Sequence, residues 1–193
     1  MPAGRLILVV GPSGAGKDTL LAAARATLAA DARFRFPRRV ITRPADAGGE
    51  DHEPATMADF ASRDFALQWQ AHGLSYGIPS AIAADLAAGC CAVANVSRAV
   101  IAAAAARFPV GVILVTAPPA LLAARLAARG REDAADRAAR LARDVALPTG
   151  ICSRAVVNDA TPAVGAARFL TALLSLAKAD AAPGGTAPRA RPR

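Results

Sequence analysis

Five consecutive aliphatic residues, Leu6–Val10, run without a polar break into Gly11-Pro12-Ser13-Gly14-Ala15-Gly16-Lys17, and a helical pattern follows to about Ala30. A short apolar run stopped by glycine predicts a strand buried on both faces. The residues after it match G-x-x-x-x-G-K, in the strand–loop–helix setting that the motif requires. Glycines let the backbone curl until several N–H groups point at one anion, and the next helix adds the positive end of its dipole. A lysine in the position of Lys17 reaches the outer phosphates of a nucleoside triphosphate. Gly11, Pro12, Ser13, Gly14, Ala15, Gly16, Lys17, Asp18 and Thr19 are therefore the expected nucleotide contacts, with Lys17 the first catalytic candidate. Asp18 stands where serine or threonine is usual. A carboxylate there is a hard ligand for Mg²⁺ and repels phosphate without it, so Asp18 is the candidate metal ligand and strict metal dependence is expected.

Beyond the loop, the pattern predicts strands at Val40–Arg43, Cys91–Val96, Val110–Thr116 and Ala155–Val157. Helices are predicted at Ile82–Ala88, Arg98–Arg107, Leu121–Ala128, Ala134–Val145 and Pro162–Ala177. Continuous apolar strands alternating with helices imply an α/β fold, a parallel sheet with helices on both faces. Pro44 to about Thr56 reads as a polar, Gly-rich loop, and Met57–Ile78 as a small mixed lobe. A single domain is expected over 1–178, followed by a basic tail, 179–193, disordered by composition.

The chain has 23 basic and 15 acidic residues, a formal charge of +8, and 21 of the basic residues are arginine. Three of those arginines fall in the last five residues, and the others lack the aromatic interleaving of single-strand binders. Arginine also suits multidentate capture of small phosphorylated molecules, so no specific nucleic acid is expected. No apolar run approaches the ~20 residues of a membrane span. The N-terminal apolar stretch leads into the glycine loop and not to a cleavage site, so neither membrane nor export is expected. Cys90, Cys91 and Cys152 fit neither a disulfide framework nor zinc spacing, which points to a cytoplasmic setting.

Further elements follow in order: Ile41-Thr42-Arg43, Trp69, His72-Gly73, Tyr76-Gly77, Arg129-Gly130, Arg140-Leu141 and Val157-Asn158-Asp159. Over about residues 5–177 the chain resembles the guanylate kinase family. The resemblance implies a P-loop, nucleoside-monophosphate-kinase-like fold with an acceptor-binding lobe at about 34–80 and a lid at about 129–147. It implies that Arg43 and Tyr76 hold the acceptor phosphate. Arg129 and Arg140 would be catalytic lid residues, with Arg131 and Asn158 beside the nucleotide.

The departures are informative. Guanylate kinases usually carry a second arginine where this chain has Asp46, a glutamate where it has Gln68, and an aspartate where it has Asn95. A carboxylate accepts two hydrogen bonds from the guanine edge, whereas an amide presents one acceptor and one donor. The mismatch leaves buried groups unpaired, so guanine specificity is expected to be absent. The chain is more similar to a neighbouring branch, the ribose 1,5-bisphosphate phosphokinases. The features are the loop aspartate, Arg39-Val40-Ile41-Thr42-Arg43, the Trp69–Gly77 stretch, Asn95-Val96-Ser97-Arg98 and the lid start Arg129–Glu132.

That branch implies ATP- and Mg²⁺-dependent phosphorylation of a sugar phosphate, ribose 1,5-bisphosphate, to 5-phospho-α-D-ribose 1-diphosphate in phosphonate breakdown. Arg39, Arg43, Tyr76, Asn95 and Arg98 would bind the substrate, with Arg98 on the 5-phosphate. The nucleophile is an anionic phosphate oxygen and needs no general base, and no Ser/His/Asp arrangement is evident. A monomer or homodimer is expected. The alternatives are a guanylate kinase and a non-catalytic guanylate-kinase-like interaction module, the latter weakened by the intact loop and Lys17.

Overall fold

The computed structural model describes residues 4–44, 51–129 and 147–178; the expected helix Ala134–Val145, Arg131, Arg140, Asp46 and the tail 179–193 lie outside the described residues. In chain order the elements are β1 (Leu6–Val10), α1 (Lys17–Thr27), β2 (Phe34–Arg35), β3 (Arg39–Ile41), β4 (His52–Pro54), α2 (Met57–Ala61), β5 (Phe65–Ala71) and β6 (Leu74–Pro79). There follow α3 (Ile82–Ala87), β7 (Cys91–Asn95), α4 (Ile101–Ala105), β8 (Val110–Thr116), α5 (Pro119–Arg129), β9 (Cys152–Val157) and α6 (Pro162–Lys178).

The aliphatic run of β1 is fully buried because both faces of its sheet are covered. Successive side chains point to opposite faces. Ile7 and Val9 enter one core with Leu20 and Ala24 of α1 and Phe169, Leu173 and Leu176 of α6. Leu6, Leu8 and Val10 enter a second core with Ile82 and Leu86 of α3 and Ile101 and Ala104 of α4. Each of the larger of these side chains, from valine up, contributes roughly 1.5–3 kcal/mol on burial. The sheet is parallel throughout, in the order β2-β7-β1-β8-β9. Its neighbours lie on either side of β1, so strand order reverses there, and a crevice opens at the carboxyl end of such a strand.

A second sheet has the order β4-β3-β6-β5. Its β5–β6 hairpin turns at His72 and Gly73, with φ of 54° and 69°, the two-residue turn whose twist matches paired strands. Ala66, Leu67 and Ile78 share the second core with Leu8 and Ala94, which anchors this small sheet to the large one.

Four local differences from the sequence expectation have physical causes. Residues Arg98–Val100 form a 3₁₀ turn capped by Ser97 Oγ, and the helix proper is only Ile101–Ala105. β9 begins at Cys152, three residues ahead of the expected Ala155, because exposed Ser153 and Arg154 hide an edge strand from an apolar-run reading. β2 and β4 are strands of two and three residues held by their neighbours and not by propensity. α1 stops at Thr27 instead of about Ala30. Among the described residues, no helix is long and apolar enough to cross a membrane, and the cysteines are free thiols.

Candidate active site

The phosphate loop is shaped by backbone. Gly11 has φ 152°, and a Cβ there would sit 2.0 Å from the Val115 carbonyl oxygen. Gly16, the residue before α1, has φ 85°, and its Cβ would sit 2.5 Å from Asn158 Nδ2. Lys17 Nζ donates to the carbonyl oxygens of Gly11 at 2.9 Å and Pro12 at 3.0 Å, so its ammonium is folded across the loop. From behind, the buried Asn158 donates Nδ2 to the Ala15 carbonyl at 2.9 Å. Arg125 of α5 donates Nη1 to the Gly14 carbonyl at 3.3 Å. Asn158, expected beside the base, thus has its amide nitrogen committed to the loop.

Asp18 links the loop to the second sheet. Its Oδ1 accepts from Asn95 Nδ2 at 2.7 Å. Asn95 is buried at the end of β7, in register with Val9, and its backbone oxygen accepts from Arg39 Nη1 at 3.0 Å. The Arg39 guanidinium lies 5.7 Å from the Tyr76 ring centroid, and Tyr76 stacks on Trp69 at 5.4 Å and 6°. A continuous row therefore runs Asp18, Asn95, Arg39, Tyr76, Trp69. Arg43 approaches from the end of β3: its Nη2 is 3.3 Å from Nδ1 of the buried His52, whose Nε2 is 3.2 Å from the Arg43 carbonyl. Arg43 Nε is buried with no hydrogen-bond partner among the described residues. A buried donor of this kind needs an acceptor beyond these residues, from water or from a bound ligand.

Beside Asp18 lies a cleft of about 340 Å³ between α1, the segment from Phe36 to Arg39, and Val93–Asn95 of β7. Arg25, Arg38 and Arg39 line it. The carboxylate of Asp51 pairs with Arg25 at 3.3 Å and Arg38 at 3.0 Å. Arg25, Arg38 and Arg125 escape a reading of the sequence. Arg25 looks like a solvated helix position, and Arg125 meets Gly14 across 111 residues. Of the expected residues, Thr19 is exposed on α1, Arg98 sits in the turn after β7 outside the cleft lining, and Arg129 ends α5.

The implied groups fit these residues. The glycine positions form a cradle that any Cβ would fill, and Asp18 offers a hard oxygen next to it. Among the described residues, no group of three or more His, Cys, Asp or Glu side chains could hold a metal by itself. Mg²⁺ is ordinarily held by one or two carboxylates together with nucleotide phosphates and water, and Asp18 can supply that single protein ligand.

A parallel sheet, a lysine-bearing phosphate loop after its central strand and an arginine-lined cleft beside the loop define a P-loop kinase. A family model described as an AAA domain matches residues 6–148. The chain is 57% identical over 171 residues to "Ribose 1,5-bisphosphate phosphokinase PhnN" of Acidiphilium cryptum, covering 89% of this chain and 93% of that one. It is 47% identical to the protein of the same name from Methylobacterium radiotolerans, covering 88% and 97%. It is also 48% identical to a "Bifunctional ribose 1,5-bisphosphokinase-thymidine phosphorylase" of Azorhizobium caulinodans, covering 91% of this chain and 26% of that longer protein. The solved guanylate kinase from Anaplasma phagocytophilum matches with a TM-score of 0.66 over 92% of this chain and 88% of that one, at 15% identity, a likeness of fold. The chain belongs to the ribose 1,5-bisphosphate phosphokinase family.

Proposed function

We propose that the chain transfers the γ-phosphoryl group of ATP to the 1-phosphate of ribose 1,5-bisphosphate, giving 5-phospho-α-D-ribose 1-diphosphate and ADP. The observation that carries this reading is the arginine-lined cleft opening at Asp18, directly beside the loop lysine. An oxygen of the 1-phosphate forms the new bond to the γ-phosphorus. The bond from that phosphorus to the β–γ bridging oxygen breaks, and its electrons leave with ADP. Such transfer is catalysed by positioning and charge neutralisation.

Lys17 leaves the carbonyls of Gly11 and Pro12 to follow the moving charge. Arg43 meets the reacting phosphate with its buried Nε, held from behind by His52. Arg39, Tyr76 and Asn95 complete the acceptor wall, and Arg129, Arg131 and Arg140 close from the lid and exclude water. Mg²⁺ at Asp18 supplies neutralisation of the β- and γ-phosphates when bound. The proposed setting is the cytoplasm, in phosphonate breakdown.

The competing reading, a guanylate kinase, is disfavoured by Asn95. With its amide nitrogen given to Asp18, this side chain cannot offer two acceptors to a guanine edge. A coupled assay with ATP and Mg²⁺ separates the two. Ribose 1,5-bisphosphate should give the diphosphate product and GMP should release no ADP; strong turnover of GMP would reverse the assignment.

A further inference from the structure

The cleft continues away from the loop, and its far end has no role in the transfer described so far. α1 contributes Asp18, Leu21 and Arg25 to it, and seven residues of helix carry Arg25 about 10 Å along the axis from Asp18. There Arg25 and Arg38 converge on the one carboxylate of Asp51. The cleft between the two ends has apolar walls, Leu21, Phe36 and Val93. It is thus charged at the loop, apolar in the middle and cationic at the far end.

The far-end pairs are solvated: the side chains of Arg25, Arg38 and Asp51 are 54%, 49% and 59% exposed. Ion pairs this exposed are weak and readily exchanged. Among the described residues, two guanidinium groups face this one carboxylate, an excess of positive charge. A phosphate monoester matches them better, with three acceptor oxygens and nearly two charges.

Resting on the reading of the acceptor as a sugar bisphosphate, we propose that Arg25 and Arg38 bind its non-reacting phosphate. Asp51 is the counter-ion that holds the two arginines together until that phosphate replaces it. Arg98, the candidate for this phosphate on sequence grounds, is not part of the cleft lining.

Ribose 5-phosphate carries the phosphate in question without the reacting one, so it isolates this subsite. Titrated calorimetrically into the full chain with MgADP, it should bind the wild type and bind Arg25→Gln and Arg38→Gln about tenfold more weakly or worse. Asp51→Asn, which removes the competing carboxylate, should tighten binding. No binding to the wild type, equal binding to the arginine variants, or a loss confined to Arg98→Gln would overturn the assignment. Weaker binding to Asp51→Asn would overturn the exchange.

A kinetic arm tests contact directly. Arg25→Gln should raise KM for ribose 1,5-bisphosphate about tenfold and affect KM for ribose 1-phosphate far less, the non-additivity expected of a direct contact. Equal losses on both acceptors would place Arg25 elsewhere. Failure of the wild type to turn over ribose 1,5-bisphosphate would sink the acceptor reading, while the ribose 5-phosphate titration would still decide the subsite.

Discussion

The phosphate loop and the acceptor cleft meet at Asp18 but are built by opposite means. The loop is a backbone object, with no room for a Cβ at Gly11 or Gly16 and its carbonyls gripped by Lys17, Asn158 and Arg125. The cleft is a side-chain object, and its far end is held by exposed pairs among Arg25, Arg38 and Asp51. Pairs of that kind contribute about 0–1 kcal/mol each, whereas a Cβ forced against a backbone carbonyl has no way out. The donor side is therefore set before any ligand arrives, and the acceptor side rearranges around what it binds. Changes in the loop should damage folding or turnover; changes in the cleft should damage acceptor affinity.

Gly11→Ala is the harshest test of the loop. The new Cβ would lie 2.0 Å from the Val115 carbonyl, in the strand next to β1. A loss above about 4 kcal/mol is expected, read as a collapse of the denaturant midpoint or as insoluble protein. A variant that melts close to the wild type would mean the loop is far less rigid than its geometry implies.

Lys17→Ala should come next. The ammonium donates to the loop carbonyls of Gly11 and Pro12, and its loss should lower kcat by about 10²–10³, the range for removing one charge-stabilising donor. Steady-state kinetics should show KM for the acceptor moving little. A loss seen mainly in acceptor KM would place the lysine in the cleft and erase the distinction.

The loop is also the part most legible in the sequence, because its determinants are local. The aliphatic run, the glycines and the lysine all lie between Leu6 and Lys17. Arg43 and Tyr76 could be picked out because they sit in short motifs, Ile-Thr-Arg and Tyr-Gly; β6 carries Tyr76 and pairs with β3, which ends two residues before Arg43. Arg25, Arg38 and Asp51 could not. Their meeting depends on where β3 and β4 pair, and β4 is His-Glu-Pro, a sequence with no strand signal of its own. The bracing role of Asn158, singled out only as a residue beside the nucleotide, was hidden for a related reason, since its partner Ala15 lies 143 residues away.

Asn158→Ala probes that hidden brace. It leaves the Ala15 carbonyl without its buried donor, a loss of about 1–3 kcal/mol. The denaturant midpoint should fall, and KM for ATP should rise through the loosened loop while KM for the acceptor holds. Asn158→Asp should be worse, because a carboxylate would face the carbonyl that now receives an N–H. A rise in acceptor KM alone would assign Asn158 to the cleft.

The mildest change addresses the cleft from its far side. Trp69 is not among the residues that line the cleft; it stacks on Tyr76, over which Arg39 lies, and Arg39 holds the Asn95 carbonyl. Trp69→Leu removes a stacked pair, an effect of about 0.5–1.5 kcal/mol, with part of it felt as freedom of the Tyr76 ring. Since Arg39 is positioned by that ring and by Asn95, KM for ribose 1,5-bisphosphate should rise a few-fold with KM for ATP constant. The row does not end at Arg39, however: Asn95 also donates to Asp18, at the corner of the loop. If Trp69→Leu raised both Michaelis constants in parallel, the row would be transmitting acceptor-side strain into the donor site. The two regions would then be one coupled unit, and the rigid loop would owe part of its geometry to the adjustable cleft.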